Sequence, residues 1–182
     1  MALFNRFAVT LGLVLALTLP GFAQELDDAQ QAALTARVES FDAAMRANDM
    51  VAVLGVIPPK MLERIAAASN ITIEQLMVAT QQQLDDAMQN ITLVSFGMDL
   101  EGAETAALAD GSTYVLIPTE TVMDLGESGK FKATSSTLGL LDGEVWYLVR
   151  VEDPQQVALL KEIYPAFADV EFPTGSMEPV TE

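Results

Sequence analysis

The 182-residue sequence contains no cysteine and no histidine. The absence of cysteine excludes disulfides, thiolate zinc sites and thiol nucleophiles. The absence of histidine excludes imidazole proton transfer, Ser-His-Asp and Cys-His catalysis, and metal sites built on histidine ligands. The fold must therefore be stabilised by packing alone, and any acid–base chemistry must come from carboxylates and phenols.

Basic side chains are also scarce. The chain has 9 Lys and Arg residues against 26 Asp and Glu residues, a formal charge of −17. Proteins that bind nucleic acid or anionic membranes need basic surface to displace counterions. The composition therefore predicts no nucleic-acid partner, and it favours solubility at the cost of self-repulsion.

The first 23 residues have the three-part pattern of a secretory signal. Arg6 supplies the positive charge, residues 7–19 form an uncharged apolar run, and small residues at Gly21 and Ala23 precede Gln24. The alternative, an uncleaved anchor, needs about 20 apolar residues. We therefore predict cleavage between Ala23 and Gln24, a periplasmic or secreted protein, and no stable membrane anchor after cleavage. Cleavage leaves 8 basic against 26 acidic side chains, a formal charge of −18.

The first part of the mature chain has the period of helices. Apolar residues recur at helical spacing at Leu34, Val38, Phe41 and Met45. The segment of residues 51–57 is short and rich in β-branched side chains, so its pattern fits either a helix or a strand. Pro58-Pro59 then predicts the start of a short helix. A third helix is predicted from Thr72, with Gln75 at the capping-box position. Its inward face is predicted to carry Leu76, Met77, Thr80, Leu84 and Met88.

From Ile91 the apolar pattern changes to a period of two, which predicts strands. The five predicted strands are Ile91 to Leu100, Glu104 to Ala109, Ser112 to Met123, Lys130 to Leu141 and Glu144 to Val151. Asp110-Gly111 and Asp142-Gly143 lie between apolar runs, and Asp-Gly favours tight hairpins.

The last part of the chain begins with a helix at Pro154. Residues 166–182 are acidic and contain Pro and Gly, so we predict a disordered tail after a single domain of residues 24–165. Helices followed by strands and one final helix indicate an α+β fold. We expect N-terminal helices packed on one face of a curved antiparallel sheet, with an extra C-terminal helix.

This order of elements, ending in the strand hairpin Asp142-Gly143-Glu144-Val145-Trp146-Tyr147-Leu148, resembles the NTF2-like (cystatin-like) superfamily over about Ala32 to Val151. The resemblance implies a conical pocket between helix and sheet. It also implies, for some members, isomerase, dehydratase or cyclase activity through an Asp-His pair or a Tyr-Asp arrangement. The Asp-His pair has no counterpart in a chain without histidine.

The phenols of Tyr114, Tyr147 and Tyr164 are the only ones in the chain. Glu120 shares a strand face with Tyr114, but six residues of strand separate them by about 20 Å. Amphipathic tyrosines that close the core are therefore the main interpretation. The sequence has no phosphate loop, dinucleotide fingerprint or serine-nucleophile motif, so it predicts no cofactor and disfavours an enzyme. Carboxylate-only chemistry, such as glycoside hydrolysis, remains open.

Four carboxylates around one predicted hairpin are the candidate ligands for Ca²⁺. They are Asp99, Glu101, Glu104 and Asp110. Calcium takes six to eight oxygen ligands, but this run lacks the spacing of an EF-hand loop. A solvated acidic surface is the main interpretation, and calcium is the alternative.

Three functional hypotheses follow from the sequence. The first is a noncatalytic exported domain that binds a small apolar ligand or a protein partner through a pocket or the open face of the sheet. The second is an acidic accessory protein that binds a cationic partner or Ca²⁺. The third is an enzyme that uses carboxylates and tyrosine.

Overall fold

The computed structural model describes residues 25–47 and 49–180. The predicted cleavage position between Ala23 and Gln24 lies outside these residues. The described helices are α1 (Asp28–Ala47), α2 (Met50–Leu54), α3 (Pro59–Ala68), α4 (Ile73–Met88) and α5 (Pro154–Ile163). The described strands are β1 (Thr92–Met98), β2 (Glu104–Ala107), β3 (Thr113–Asp124), β4 (Lys130–Asp142), β5 (Val145–Arg150) and β6 (Ser176–Pro179). The five predicted strands are thus confirmed, and residues 51–57, which the pattern left open, begin as a helix.

The sheet is antiparallel and curled around two long central strands, β3 and β4. Each long strand pairs along its outer edge with two short strands. Strands β1 and β2 pair with β3, and strands β5 and β6 pair with β4. Gly111 and Gly143 have φ of 85° and 67°, which the tight hairpins at the two Asp-Gly pairs require. The predicted α+β class, with N-terminal helices and a C-terminal helix, is confirmed.

Helix α1 packs on one face of the sheet. Leu34 and Val38 are buried against side chains from the strands and the segment after α2, namely Val56, Val115, Ile117, Trp146 and Leu148. A Cβ on Gly139 would lie 3.2 Å from Leu34 Cδ1, so a side chain at this position would require the Leu34 side chain to shift. The indole Nε1 of Trp146 donates a hydrogen bond to the Gln30 carbonyl at 3.0 Å. The space between the long helix and the sheet is therefore filled by side chains.

The opposite face of the sheet is covered by α5 and the short 3₁₀ helix that follows it. Leu138 and Leu140 flank Gly139 in β4, so strand alternation directs them away from α1. They join a second buried cluster with Met61 of α3 and Leu160 of α5. The edge of β5 is closed by the segment after α2, because the Leu148 amide donates to the Val56 carbonyl at 2.7 Å.

Helix α4 begins at the predicted capping box. The Thr72 hydroxyl accepts from the Gln75 amide at 3.2 Å, and the Gln75 side chain accepts from the Thr72 amide at 2.9 Å. The helix packs against α2 and α3, yet none of its 16 residues is buried. The predicted inward position of Met88 is wrong: this side chain is exposed in the last turn of α4, so it takes little part in the packing of the helix.

The predicted disordered tail is wrong for residues 166–180. Phe167 is fully buried in the cluster around α5, and Phe172 packs against the same cluster. Residues Ser176–Pro179 then pair with the first half of β4 as strand β6. Two phenylalanines thus outweigh the acidic, Pro- and Gly-containing composition around them. Residues 181–182 lie outside the description.

Candidate functional site

An open hollow of about 400 Å³ lies between α2 and α4, and we call it the α2–α4 groove. Its lining consists of Val51, Leu54, Met77, Val78, Gln81 and Gln82. The lining is mostly apolar, with two side-chain amides at one end. This groove is the candidate functional site.

Helical spacing accounts for how the two walls of the α2–α4 groove form. Val51 and Leu54 are three residues apart in α2, so they share one face of the helix. In α4, Met77 and Gln81 are four residues apart. Val78 lies three and four residues before Gln81 and Gln82, so these side chains lie on the same side of the helix. The Asp49 carboxylate accepts a hydrogen bond from the Ala52 amide at 3.1 Å, which fixes the start of the short α2.

Two valines of the groove are far more exposed than the core valines. Val51 is 67% exposed and Val78 is 58% exposed. Isolated apolar residues on a surface are common, but these two belong to one hollow whose other apolar members, Leu54 and Met77, lie beneath or beside them. The groove is thus an apolar surface that nothing in the described residues covers.

The residues around the groove are acidic. Asp49 precedes α2, Glu74 lies one turn before Val78, and Asp85 and Asp86 lie one turn after the groove amides. The backbone amide at Glu74 and the Thr72 hydroxyl lower the pKa of the Glu74 carboxyl, so it stays charged. Neither α2 nor α4 contains Lys or Arg.

The side chains that line the groove are suited to binding an apolar group. Its six lining residues include no carboxyl, amine, phenol or hydroxyl group. Catalysis by proton transfer or nucleophilic attack needs such a group within hydrogen-bond reach of the substrate. An apolar ligand that fills the groove would instead be held by burial of apolar area, with two glutamine amides for orientation.

A second cluster joins Lys60, Asp142 and Tyr164. Lys60 Nζ lies 2.7 Å from Asp142 Oδ2, and the Tyr164 hydroxyl donates to the same oxygen at 2.9 Å. The hydrogen bond from Lys60 lowers the pKa of Asp142 most, with smaller contributions from the Tyr164 hydroxyl and the lysine charge. Burial raises the pKa of Tyr164, and the hydrogen bond to Asp142 raises it further. A phenol that keeps its proton and a carboxylate that stays charged form a structural tie rather than an acid–base pair poised near neutral pH.

The sequence patterns predicted neither the cluster of Lys60, Asp142 and Tyr164 nor the α2–α4 groove. The phenols considered with Glu120 lie elsewhere: Tyr114 packs edge-on to Phe167 at 5.4 Å between ring centroids, and Tyr147 lies under the Arg37 guanidinium. Glu120 itself pairs with Lys132 at 2.6 Å. No phenol in this group therefore meets the carboxylate.

The four calcium candidates do not converge. Asp99 Oδ1 accepts from the amides of Glu101 and Gly102, and Asp110 Oδ1 accepts from the Ser112 amide and hydroxyl. Both carboxylates thus stabilise their own turns. Glu104 lies on β2. Within residues 25–47 and 49–180, no group of three or more carboxylates is placed to hold a metal ion.

A second hollow, of about 390 Å³, lies on the sheet where β1, β3 and β4 run side by side. Its lining residues are Gly97, Met98, Asp99, Pro118, Thr119, Glu120, Thr134 and Ser135. Both of its carboxylates already have partners, Asp99 in its turn and Glu120 with Lys132. It offers less apolar lining than the α2–α4 groove.

Comparison with protein-family models, with curated proteins and with solved structures finds no match to this chain. The NTF2-like resemblance therefore stays a prediction. None of the helices in the described part of the chain has the length and hydropathy that crossing a bilayer requires.

Proposed function

We propose that the protein is a noncatalytic domain that binds an apolar ligand, or the apolar surface of a protein partner, in the α2–α4 groove. One observation carries the proposal: α4 is a 16-residue helix without a single buried side chain, and two valines of the hollow beside it are more than half exposed. Full burial of a Val, Leu or Met side chain contributes about 1.5–3 kcal/mol. A ligand that covers the groove would gain part of this free energy at each apolar lining residue.

The neutral dye Nile red tests this proposal, because its fluorescence rises in apolar surroundings and it carries no charge that the acidic rim would repel. We expect the protein to enhance the emission, and Val78→Gln to weaken the affinity about five- to tenfold, since about 1 kcal/mol of apolar contact is lost. Val78 is exposed and glutamine has a higher helix propensity than valine, so the variant should fold normally.

Val94→Gln is the matched control, because Val94 is 50% exposed but lies on β1, away from the groove. It should leave the titration unchanged. Equal loss in the two variants, or enhancement that neither variant alters, would show that the dye binds elsewhere and would contradict the proposal.

We also propose that the protein is exported and acts in the periplasm or outside the cell, after cleavage between Ala23 and Gln24. The three-part pattern of residues 1–23 supports this proposal. N-terminal sequencing of the protein recovered from the exported fraction should give Gln24 as the first residue. A protein that still begins with Met1 would contradict it.

A further inference from the structure

We propose that the α2–α4 groove binds a basic amphipathic helix of a partner protein. The inference rests on the proposed function, because it assigns a partner class to the same groove. It is carried by the apolar lining between the two helices together with a rim of carboxylates that form no salt bridge within the described residues.

The α2–α4 groove is about two helical turns long. Its α4 wall extends from Met77 to Gln82, six residues or about 9 Å, and its α2 wall extends from Val51 to Leu54. Two turns of a bound helix match this length. An amphipathic helix binds such a groove through apolar side chains at spacings of three, four and seven residues. An extended peptide would need a free strand edge, and the backbone hydrogen bonds of α2 and α4 are satisfied within the helices.

The carboxylates around the groove indicate that the partner is positively charged. Asp49, Glu74, Asp85 and Asp86 flank the groove, and none of them takes part in a salt bridge within the described residues. Their hydrogen bonds come from neutral groups, such as the Gln81 amide that donates to Asp85 at 2.8 Å. By contrast, Lys60 and Arg64 of the neighbouring α3 are each paired with a carboxylate. An apolar strip between unpaired carboxylates is complementary to a helix with one apolar face and flanking Lys or Arg residues.

Two other occupants fit less well. A second copy of this chain, related by a two-fold axis, would place the four rim carboxylates against the same four carboxylates of its partner. An anionic lipid surface would meet the same repulsion. Both would bring negative charge onto a negative rim.

Three labelled 18-residue peptides test the proposal by fluorescence anisotropy with the intact protein. The first is an amphipathic Leu/Lys helix, the second has Glu in place of every Lys, and the third is the Leu/Lys peptide shuffled so that no apolar face forms. We expect the Leu/Lys helix to bind at least about tenfold more tightly than either of the others at about 0.1 M salt. At about 1 M salt, where the Debye length falls to about 3 Å, its advantage over the Leu/Glu peptide should largely disappear.

Variants of the protein test whether the Leu/Lys peptide binds at the α2–α4 groove. Asp85→Asn/Asp86→Asn should weaken Leu/Lys binding about fivefold, because two charges of the rim are removed. Asp169→Asn/Glu171→Gln removes the same number of charges from exposed positions after α5 and should change the affinity less than about twofold. Val78→Gln should weaken both ligands.

Two failures are distinguishable. If Nile red binds in the groove but the Leu/Glu or shuffled peptide binds as well as the Leu/Lys helix, the partner assignment is wrong and the groove remains a binding site. Equal effects of the two charge-removal variants would also overturn the partner assignment. If Val78→Gln leaves Nile red binding intact, the proposed function itself is wrong.

Discussion

The carboxylate of Asp142 connects three elements that are far apart along the chain. It ends β4, receives the ammonium of Lys60 from α3, and accepts a hydrogen bond from Tyr164 at the end of α5. The Lys60 ammonium also lies 5.2 Å from the centre of the Tyr164 ring. One oxygen atom therefore holds α3 and α5 at the β4–β5 hairpin.

This cluster predicts a pH dependence of stability at both ends of the range. Because the folded-state pKa of Asp142 is lowered, its contribution is present above the ordinary carboxyl pKa of about 4 and is lost as the pH falls through the lower folded value. Because the folded-state pKa of Tyr164 is raised, its contribution is present below about pH 10 and is lost as the pH rises through the higher folded value. Asp142→Asn should reduce the loss of stability in acid, and Tyr164→Phe should reduce the loss in alkali.

Urea unfolding across the pH range measures both effects, and Tyr164→Phe should cost about 1 kcal/mol at pH 7 through the lost hydrogen bond. Tyr114→Phe is the control, since Tyr114 does not contribute to the raised pKa of Tyr164 and its hydroxyl has no hydrogen-bond partner among the described residues. An alkaline profile that is the same for wild type and Tyr164→Phe would show that the phenol does not contribute as described.

Sequence patterns identify residues that act within their own turn, but not those that meet through packing. Asp110 and Asp142 are both recognisable as Asp-Gly hairpin residues, yet only the structure shows that Asp142 meets a phenol 22 positions away. Val78 carries no signal in the sequence, because its role in the groove arises from where α2 meets α4.

At the scale of elements, local signals predict most of the fold. The five strands and the capping box at Thr72 follow from periodicity and from residues a few positions apart. Residues 51–57 remained open because a short β-branched run fits a helix or a strand, and the Asp49 cap favours the helix. The tail was mispredicted because its order comes from distant partners of Phe167 and Phe172.

Truncation of the tail should separate its two parts. A chain that ends at Gly175 loses β6. Residues Phe131–Thr134 of β4 then keep their pairing with β3 but expose their other edge, so we expect a small loss of stability and more aggregation. A chain that ends at Asp169 also loses Phe172, so its free energy of unfolding should fall by about 2 kcal/mol more. Thermal unfolding and light scattering measure the two effects.

Ser176→Ala controls for the side-chain hydrogen bond between Ser176 and Thr134, which is separate from the strand pairing. It should not increase aggregation. If the two truncations have the same stability, the packing of Phe172 does not contribute as the structure implies.

At the scale of the whole molecule, acidic side chains far outnumber basic ones, so we expect repulsion between carboxylates to outweigh the gain from ion pairs. The salt bridges within the described residues mostly join exposed side chains, and such pairs contribute about 0–1 kcal/mol each. The formal charge of −17 is spread over the entire chain. Screening should therefore relieve more repulsion than it removes attraction.

We accordingly expect the melting temperature to rise with NaCl concentration. We also expect CaCl₂ and MgCl₂ at equal concentration to give equal shifts, because Asp99 and Asp110 are engaged in their own turns and lie in no cluster of three described carboxylates. A melting temperature that falls with NaCl would contradict the first expectation. A larger shift with calcium than with magnesium would indicate a specific calcium site.

The residues that cover one face of the sheet follow its first five strands in the order of synthesis. Phe167 closes the cluster around α5, and β6 supplies the last strand beside β4. Because the ribosome releases the C-terminal residues last, helices α1 to α4 and the strand hairpins emerge before the residues that cover one face of the sheet. Leu138 and Leu140 therefore stay uncovered during synthesis until Leu160 and Phe167 have left the ribosome.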